Sequence, residues 1–467
     1  MSGLFSTLDG SVRSLQAQSR ALDVTGRNIA NVNNANYARE SVIFGTVGAQ
    51  SSGVEALGIT QARSSLLDQQ VLREVSASNG LQTQQAALQR AEVSLDQNIN
   101  RSASSSSITQ TDNTVGGVSG AMTDFFNSFQ ALAAQPTDVG QRQTLIQKAS
   151  ILTDRLNQTD QRLANVQADI GTQITTDASQ ANTILQTIAN LNAQIGSAEI
   201  GSPGSAVDLR DQRQGQLESL AKIMNFDVQN ASNGSGQIQV IAKDTSGGNV
   251  VLVNQTTVNG TVAFTGSTIT AGSPATALKL TSGSMQGGLN ASTGAVATIR
   301  TQLNALASQL VTAVNAAYNP TNLTGNFFTS TGTTAGTISV DPTVTTTSLK
   351  ASDGGQASDN TIAVAVAKVA TKTFSTSSGD AINGTLTNFY SGAVTSLGQT
   401  ISTVNTNVTD QTTVEKLVRN QRDSVSGVSL DEEMANMLKY QRSFEASSRV
   451  FNMTDQLLDT VVNKLGL

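Results

Sequence analysis

The chain has no cysteine, no histidine and no tryptophan. Without Cys and His there is no nucleophile, base or zinc ligand of those kinds, and no disulfide to form. Folding outside a cell would need no oxidative step. Charge is scarce too: 13% of 467 residues are charged, with a net charge of -6 and no basic run. That balance argues against a nucleic-acid partner. No apolar stretch approaches the roughly eighteen residues that a membrane helix requires, so no membrane insertion is expected. The first twenty residues lack a basic segment followed by an apolar one, so no cleavable signal peptide is expected.

What is present is periodic. From Leu430 every seventh residue is apolar: Leu430, Met437, Phe444, Phe451, Leu458, Leu465. The companion row reads Met434, Gln441, Ser448, Asp455, Val462 and is mixed. The N-terminus repeats the period in Met1, Leu8, Leu15, Leu22 and Ile29, with Phe5, Val12, Ser19 and Gly26 as companions. A period of seven keeps a narrow seam on one side of a helix and requires a partner helix. The two chain ends therefore read as halves of one coiled coil. Its assembly interface is Leu8, Leu15, Leu22, Ile29, Leu430, Met437, Phe444, Phe451, Leu458 and Leu465. The polar companions make the C-terminal seam thin. The terminal helices are accordingly expected to be weakly ordered in a monomer and to fold fully when neighbouring subunits pack on them. Strong hydrogen-exchange protection of residues 1–30 and 435–467 in the monomer would contradict this.

Between the ends, residues 1–32 read as a helix, and the run from Asn28 to Asn36, with five Asn, breaks it. Val42–Phe44 and Val54–Ile59 are short extended pieces. A helical pattern spans 64–98, with Gly80 as an interruption. A short amphipathic helix carrying Met122, Phe125, Phe126, Phe129 and Leu132 stops at Pro136. Residues 141–195 form one long helix with a seam of Ala149, Leu152, Leu156, Leu163, Val166, Ile170, Ile174, Ala181, Ile184, Ile188, Leu191 and Ile195. At 1.5 Å per residue it spans roughly 80 Å. A helix over 207–223 follows.

At Phe226 the period changes to two, with Ser246-Gly247-Gly248 and Asn259-Gly260 as hairpin-turn signals. Helical seams return at Val296–Leu310 and 384–425, separated by a stretch (321–373) read as loop and short strand. Ser429 and Glu432 have capping-box spacing for the last helix, and Gly466 stands where a C-terminal cap glycine belongs.

The order is nearly palindromic, which a nested chain explains. The expected fold is α+β, mainly α: a nested multidomain rod. Residues 1–45 and 426–467 form a terminal coiled-coil domain. Residues 46–225 and 284–425 form a helical rod with loops, and 226–283 an inserted β domain.

Catalytic chemistry is hard to place. Asp431-Glu432-Glu433 is the densest acidic cluster, but carboxylates are favoured in a helix's first turn. Asp208, Arg210, Asp211 and Arg213 have ion-pair spacing on one short helix. The glycine turns lack the Lys-Ser or Lys-Thr of a phosphate loop. No two acids are singled out as a glycosidase pair. The reading is a non-enzyme without cofactor.

Asn28-Ile29-Ala30-Asn31-Val32-Asn33-Asn34-Ala35-Asn36-Tyr37-Ala38-Arg39 resembles the signature of the bacterial flagellar rod, hook and hook-associated axial proteins. Asn28, Asn31, Asn36, Tyr37 and Arg39 carry the match. The family pattern has Thr where Asn34 stands and Gly where Asn36 stands. Asn is the next-best residue for a left-handed backbone, so the family's turn is expected to persist.

The segments Gly427–Met437, Tyr440-Gln441 and Ser447–Val450 look most like the family's hook–filament junction members. So do Asp208–Arg213 and residues 322–328. The β insertion and loops are not covered. The resemblance implies a structural subunit in a ring of its own copies, between the hook protein and a second junction protein. It further implies export unfolded through the flagellar type III apparatus and an export chaperone on residues 430–467. Phe444→Asp or Phe451→Asp is then expected to block filament attachment while sparing the inner domains. Another axial protein (hook or distal rod) is the alternative reading, and a secreted adhesin or enzyme a third.

Overall fold

The computed structural model describes residues 2–46, 53–95, 117–201, 204–231, 235–321, 325–354 and 358–461. The fold is mainly α with small antiparallel sheets. Its helices are α1 (Ser2–Ala30), α2 (Ser65–Ser94), α3 (Gly117–Ala134), α4 (Val139–Ala198), α5 (Val207–Ile223), α6 (Ser284–Asn290), α7 (Ala297–Tyr318), α8 (Thr361–Val369), α9 (Leu386–Ser426) and α10 (Leu430–Asp459). A π-helical turn, Ala291–Val296, makes α6 and α7 continuous. Strands β1 (Glu40–Thr46) and β2 (Val54–Gln61) form a hairpin. Strands β3 (Asp227–Asn230), β4 (Ile238–Lys243), β5 (Asn249–Asn254) and β6 (Thr257–Val258) make one sheet in that order. β7 (Ala263–Thr265), β8 (Thr268–Ala271) and β9 (Thr276–Ala277) make another.

The described chain divides into two compact units. Unit 1 comprises Met1–Gly80, Thr176–Ser284 and Asp410–Leu467; unit 2 comprises Leu81–Thr175 and Met285–Thr409. Helices α2, α4 and α9 contribute to both. The β-rich segment thus clusters in the same unit as the chain ends, a different division from the three nested domains read from sequence.

All twelve residues of the long seam are buried in α4, whose 60 residues span about 90 Å. In unit 1, α4 also carries two asparagines that hold the sheets by their backbone. Asn182 Nδ2 donates to Val262 O (2.8 Å), and its Oδ1 accepts from Val262 N (2.8 Å). Asn192, fully buried, donates to Ile238 O (3.0 Å) and Gln255 O (2.7 Å) and accepts from Arg213 (2.8 Å). A side-chain amide has both donor and acceptor, so it can pair strand ends that lack a neighbouring strand.

In unit 2 the core is aromatic. Phe125 and Phe129 of α3 meet Tyr318, Phe327 and Phe328, with ring centroids 5.0–5.7 Å apart. These are the edge-to-face and tilted geometries that ring quadrupoles favour. Asn315 fixes the backbone beside the cluster. Its amide donates to Phe328 O (2.9 Å), and its carbonyl accepts from Phe327 N (3.1 Å) and Phe328 N (2.9 Å).

Three sequence expectations differ from the structure. Gly80 does not interrupt α2, which runs through it. A Cβ there would lie 3.1 Å from the backbone of Gly283, whose N–H donates to Ser76 O (2.8 Å). Glycine here admits a crossing chain. The stretch 321–373 contains a helix, α8, which packs on α3 and α7. Its Ile-Ala-Val-Ala-Val run alternates like a strand, but Ile362, Ala363, Val366, Ala367 and Val369 bury at helical spacing. Asn259-Gly260 is not a hairpin turn. It connects β6 of one sheet to β7 of the other, with Gly260 at φ 81°.

Candidate functional site

The chain ends do pair in space: α1 packs along α10 and against the β1–β2 hairpin. On α1 the most enclosed residues are small ones, Gly10, Ser11, Ala17, Ala21, Val24, Thr25 and Asn28. Small side chains let backbones approach. A Cβ on Gly53 would sit 2.8 Å from Gly10 O, and Ser14 Oγ accepts Val54 N–H (3.1 Å). Leu8, Leu15, Leu22 and Ile29 lie half-buried beside that row rather than forming it.

On α10 the enclosed row is Glu433, Met437, Tyr440, Ser447, Phe451, Thr454 and Leu458. The companion of the apolar row is therefore Glu433–Tyr440–Ser447–Thr454, not Met434–Gln441–Ser448–Asp455. A heptad allows a companion three or four residues on, and here the three-residue step faces inward. Within the apolar row Leu458 is the deepest at 8% exposure, Met437 and Phe451 are half-buried, and Leu430 (46%) and Phe444 (38%) are exposed. Met1 and Leu465 lie outside the described residues, as does Gly466. Phe451→Asp should thus disturb the helix pair itself more than Phe444→Asp does.

The motif residues build a polar knot where α1 ends. Asn28 is 1% exposed and makes four bonds. Its Nδ2 donates to Glu40 O (2.9 Å) and Glu433 Oε2 (2.9 Å). Its Oδ1 accepts from Tyr37 OH (2.7 Å) and Glu40 N (3.0 Å). Arg39 then reaches the first turn of α10. Its Nε pairs with Glu433 Oε1 and its Nη1 with Glu432 Oε2, both at 2.8 Å.

Asn31 Nδ2 bonds Arg27 O (3.0 Å), tying off the end of α1. Asn36 does not adopt the left-handed backbone expected of a glycine replacement. Gln255 is the one non-glycine with positive φ among the described residues. The turn is held by bonds from Asn36 N to Asn34 Oδ1 (3.2 Å) and from Tyr37 N to Asn34 O (3.0 Å). An Asx turn supplies what glycine would otherwise give.

A second tier of charges grips the motif loop. Asp211 of α5 accepts Ala38 N (3.3 Å), Gln61 Nε2 (2.8 Å) and Arg63 Nη2 (2.7 Å). Arg63 also donates to Asn36 O (3.0 Å) and Asp68 (3.1 Å). Arg422 of α9 binds Ala35 O (3.0 Å) and Glu218 (2.8 Å). Burial raises the Asp211 and Asp68 carboxyls, with Arg63 opposing. Burial, then the Glu40 carboxylate, pushes the Tyr37 phenol upward, so it stays a donor.

Glu40 is the least comfortable member. Its side chain is 0% exposed, Arg27 stands 3.0 Å away, and neither carboxyl oxygen has a hydrogen bond within the chain. Burial raises its pKa from 4.5 to about 7, against the pull of Arg27 and with Asp208, Asp211 and Asp23 adding to the rise. Between those two values unfolding releases a proton, so stability falls as pH rises from about 4.5 to 7. The loss is up to about 3 kcal/mol from this group. Glu40→Gln should remove that slope and raise the melting temperature at pH 8, since Arg27 keeps Asp23 and Asp208 nearby. Thermal melts of both proteins at pH 5 and 8 check it. An unchanged slope would mean that another group sets it.

Sequence reasoning placed Asp431-Glu432-Glu433 in a first turn, and it lies there. The turn also supplies two partners to Arg39. The capping box is not formed: Ser429 makes no side-chain cap bond, and the Glu432 side chain is paired with Arg39 instead. Glu40, Arg63 and Arg422 carried no signal in the sequence, since most of what they bind is distant along the chain. Among the described residues no group of three or more acids is placed to hold a metal ion. No helix among them is long and apolar enough to cross a membrane.

Comparison with known proteins agrees with the motif. Residues 106–328 match the family described as flagellar hook-associated protein FlgK helical domain. That span runs through the β-rich segment, which the sequence resemblance did not cover. Residues 419–465 match the family described as flagellar basal body rod FlgEFG protein C-terminal. Flagellar hook-associated protein 1 of Bacillus subtilis is 25% identical, the alignment covering 100% of this chain and 99% of that protein. Its counterpart in Salmonella typhimurium is 29% identical over 48% of this chain and 39% of its own length. The structure of the flagellar hook junction protein FlgK from Burkholderia pseudomallei aligns with a TM-score of 0.46 and 22% identity, covering 56% of this chain and 46% of that one. The matched families are structural. Along its whole length the chain is similar to flagellar hook-associated protein 1, and it is a structural component of the flagellar hook–filament junction.

Proposed function

We propose that the paired chain ends are the assembling element of this subunit, and that copies pack through them into a ring between hook and filament. The observation that supports this is the knot. The family's motif residues Asn28, Tyr37 and Arg39 hold α1 against the first turn of α10, fixing both helices for presentation to neighbours. In this reading residues 1–45 and 426–467 assemble, 46–225 and 284–425 form the helical body, and 226–283 is a presented β region.

The half-buried leucines of α1 and the exposed apolar residues of α10 are surfaces that a neighbour, or before export a chaperone, would cover. The partners are the hook protein on one side and a second junction protein on the other. The location is extracellular, reached unfolded through the type III route. No catalytic role is assigned.

Deleting the gene tests the reading. Hooks without filaments, with flagellin in the medium, are expected. Normal filaments would refute it. The rod-type match at residues 419–465 favours a second reading, another axial protein, and loss of the hook itself would select that one.

A further inference from the structure

The outward surface of α10 is divided. Relative to the enclosed row Glu433–Met437–Tyr440–Ser447–Phe451–Thr454–Leu458, a helix of about 3.5 residues per turn projects Met434 and Leu438 to one flank. It projects Val450, Met453 and Leu457 to the other. All five are exposed: 54%, 62%, 49%, 64% and 51%. Charge divides the same way. The first flank carries Asp431, Glu445, Asp455 and Asp459 and, among the described residues, no base. Lys439 lies on the second flank, with Arg442 and Arg449 on the adjoining back. Glu432 shares the second flank but is paired with Arg39. Arg442 and Glu445 meet at 3.2 Å across the back, an exposed pair that costs little to exchange.

The two apolar patches are also displaced along the helix. Their centres are about 17 residues apart, or roughly 26 Å at 1.5 Å per residue. A two-fold contact through the first flank with the helices parallel would lay Met434 and Leu438 on themselves and bring Asp431 and Glu445 against the same acids of the other copy. A head-to-tail contact instead lays one patch on the other. The shift that aligns the patches also brings Asp431 of one copy level with Arg449 of the next, a separation of about 18 residues.

We propose that α10 docks on α10 of a second copy through opposite flanks. Met434 and Leu438 lie against Val450, Met453 and Leu457, and successive copies are staggered by about 26 Å. The contact is heterologous and leaves each copy with one free flank, so it propagates. This rests on the reading that the chain ends assemble.

The absence of cysteine makes the test direct. Chains carrying L438C, M453C or both are expressed in place of the natural chain. Flagella are isolated, treated with a short bismaleimide and run on denaturing gels. The double variant should give a ladder of cross-linked copies, and the singles none. D431R should lower ladder yield several-fold, and D431R with R449D should restore it. Dimers from either single variant would overturn the proposal in favour of a two-fold contact. A double variant present in flagella but uncross-linked would overturn the stagger while leaving the assembly reading intact. Absence of the natural chain from purified flagella would overturn the assembly reading itself.

Discussion

Asn28→Leu should unfold the chain-end pair while leaving unit 2 folded. Leucine matches asparagine in size but offers no polar atom. Glu40 N and O lose their partner, Tyr37 loses its acceptor, and Glu433 loses one of two donors. Each buried group left unpaired costs about 1–3 kcal/mol, and relaxation spares part of the sum. A total of about 3–5 kcal/mol is expected, comparable with much of a domain's stability.

Asn28→Asp should be as severe, because it would aim an oxygen where Nδ2 now donates to Glu40 O and to the Glu433 carboxylate. Arg39→Lys should be milder, since the charge remains but the fork that spans Glu432 and Glu433 is lost. Hydrogen exchange resolved by segment is the right measurement, because a two-unit chain has no single unfolding free energy. Protection should fall in α1, β1 and α10 and persist in α3 and α7. Swimming motility should be lost. Unchanged protection of α1 would mean that the knot does not hold the pair.

Phe327→Ala is the converse. Phe327 is fully buried and touches Phe125, Phe129, Tyr318 and Phe328. Its removal loses the transfer free energy of a ring and leaves a cavity among other rings, about 3–5 kcal/mol. Asn315 pins the backbone on both sides of this position, which limits collapse into the space. Protection should fall in α3, α7 and α8 and stay unchanged in α1 and α10. Equal loss in both sets would mean that the two units unfold as one.

How far the structure was legible in the sequence depended on how local the signal was. The α4 seam was readable residue by residue because a helix repeats its environment every turn. The family motif was readable because Asn28 to Arg39 is one short stretch. The α8 helix was not, since Ile, Val and Ala in alternation satisfy both periods, and only packing against α3 and α7 decides between them. In α10 the apolar row was visible, yet its companion was off by one residue. In α1 the visible leucines flank a row of Gly, Ala and Ser that no hydrophobic pattern marks. The knot was half legible: Asn28, Tyr37 and Arg39 stood out as a motif and Glu433 and Asp211 as members of local charged clusters, while Glu40, Arg63 and Arg422 are ordinary charged residues until the fold brings them together.

The bond from Asn28 to Glu433 joins residues 405 positions apart. Closing so long a loop is entropically costly, and contacts of this span form late. Asn28 can meet Tyr37 and Glu40 early, but half of what the Asn28 and Arg39 side chains bind arrives only with the last helix. The knot therefore acts as a check on completeness. A chain missing its far end would leave a buried amide and a guanidinium without their carboxylates, and its near end would have nothing to close upon.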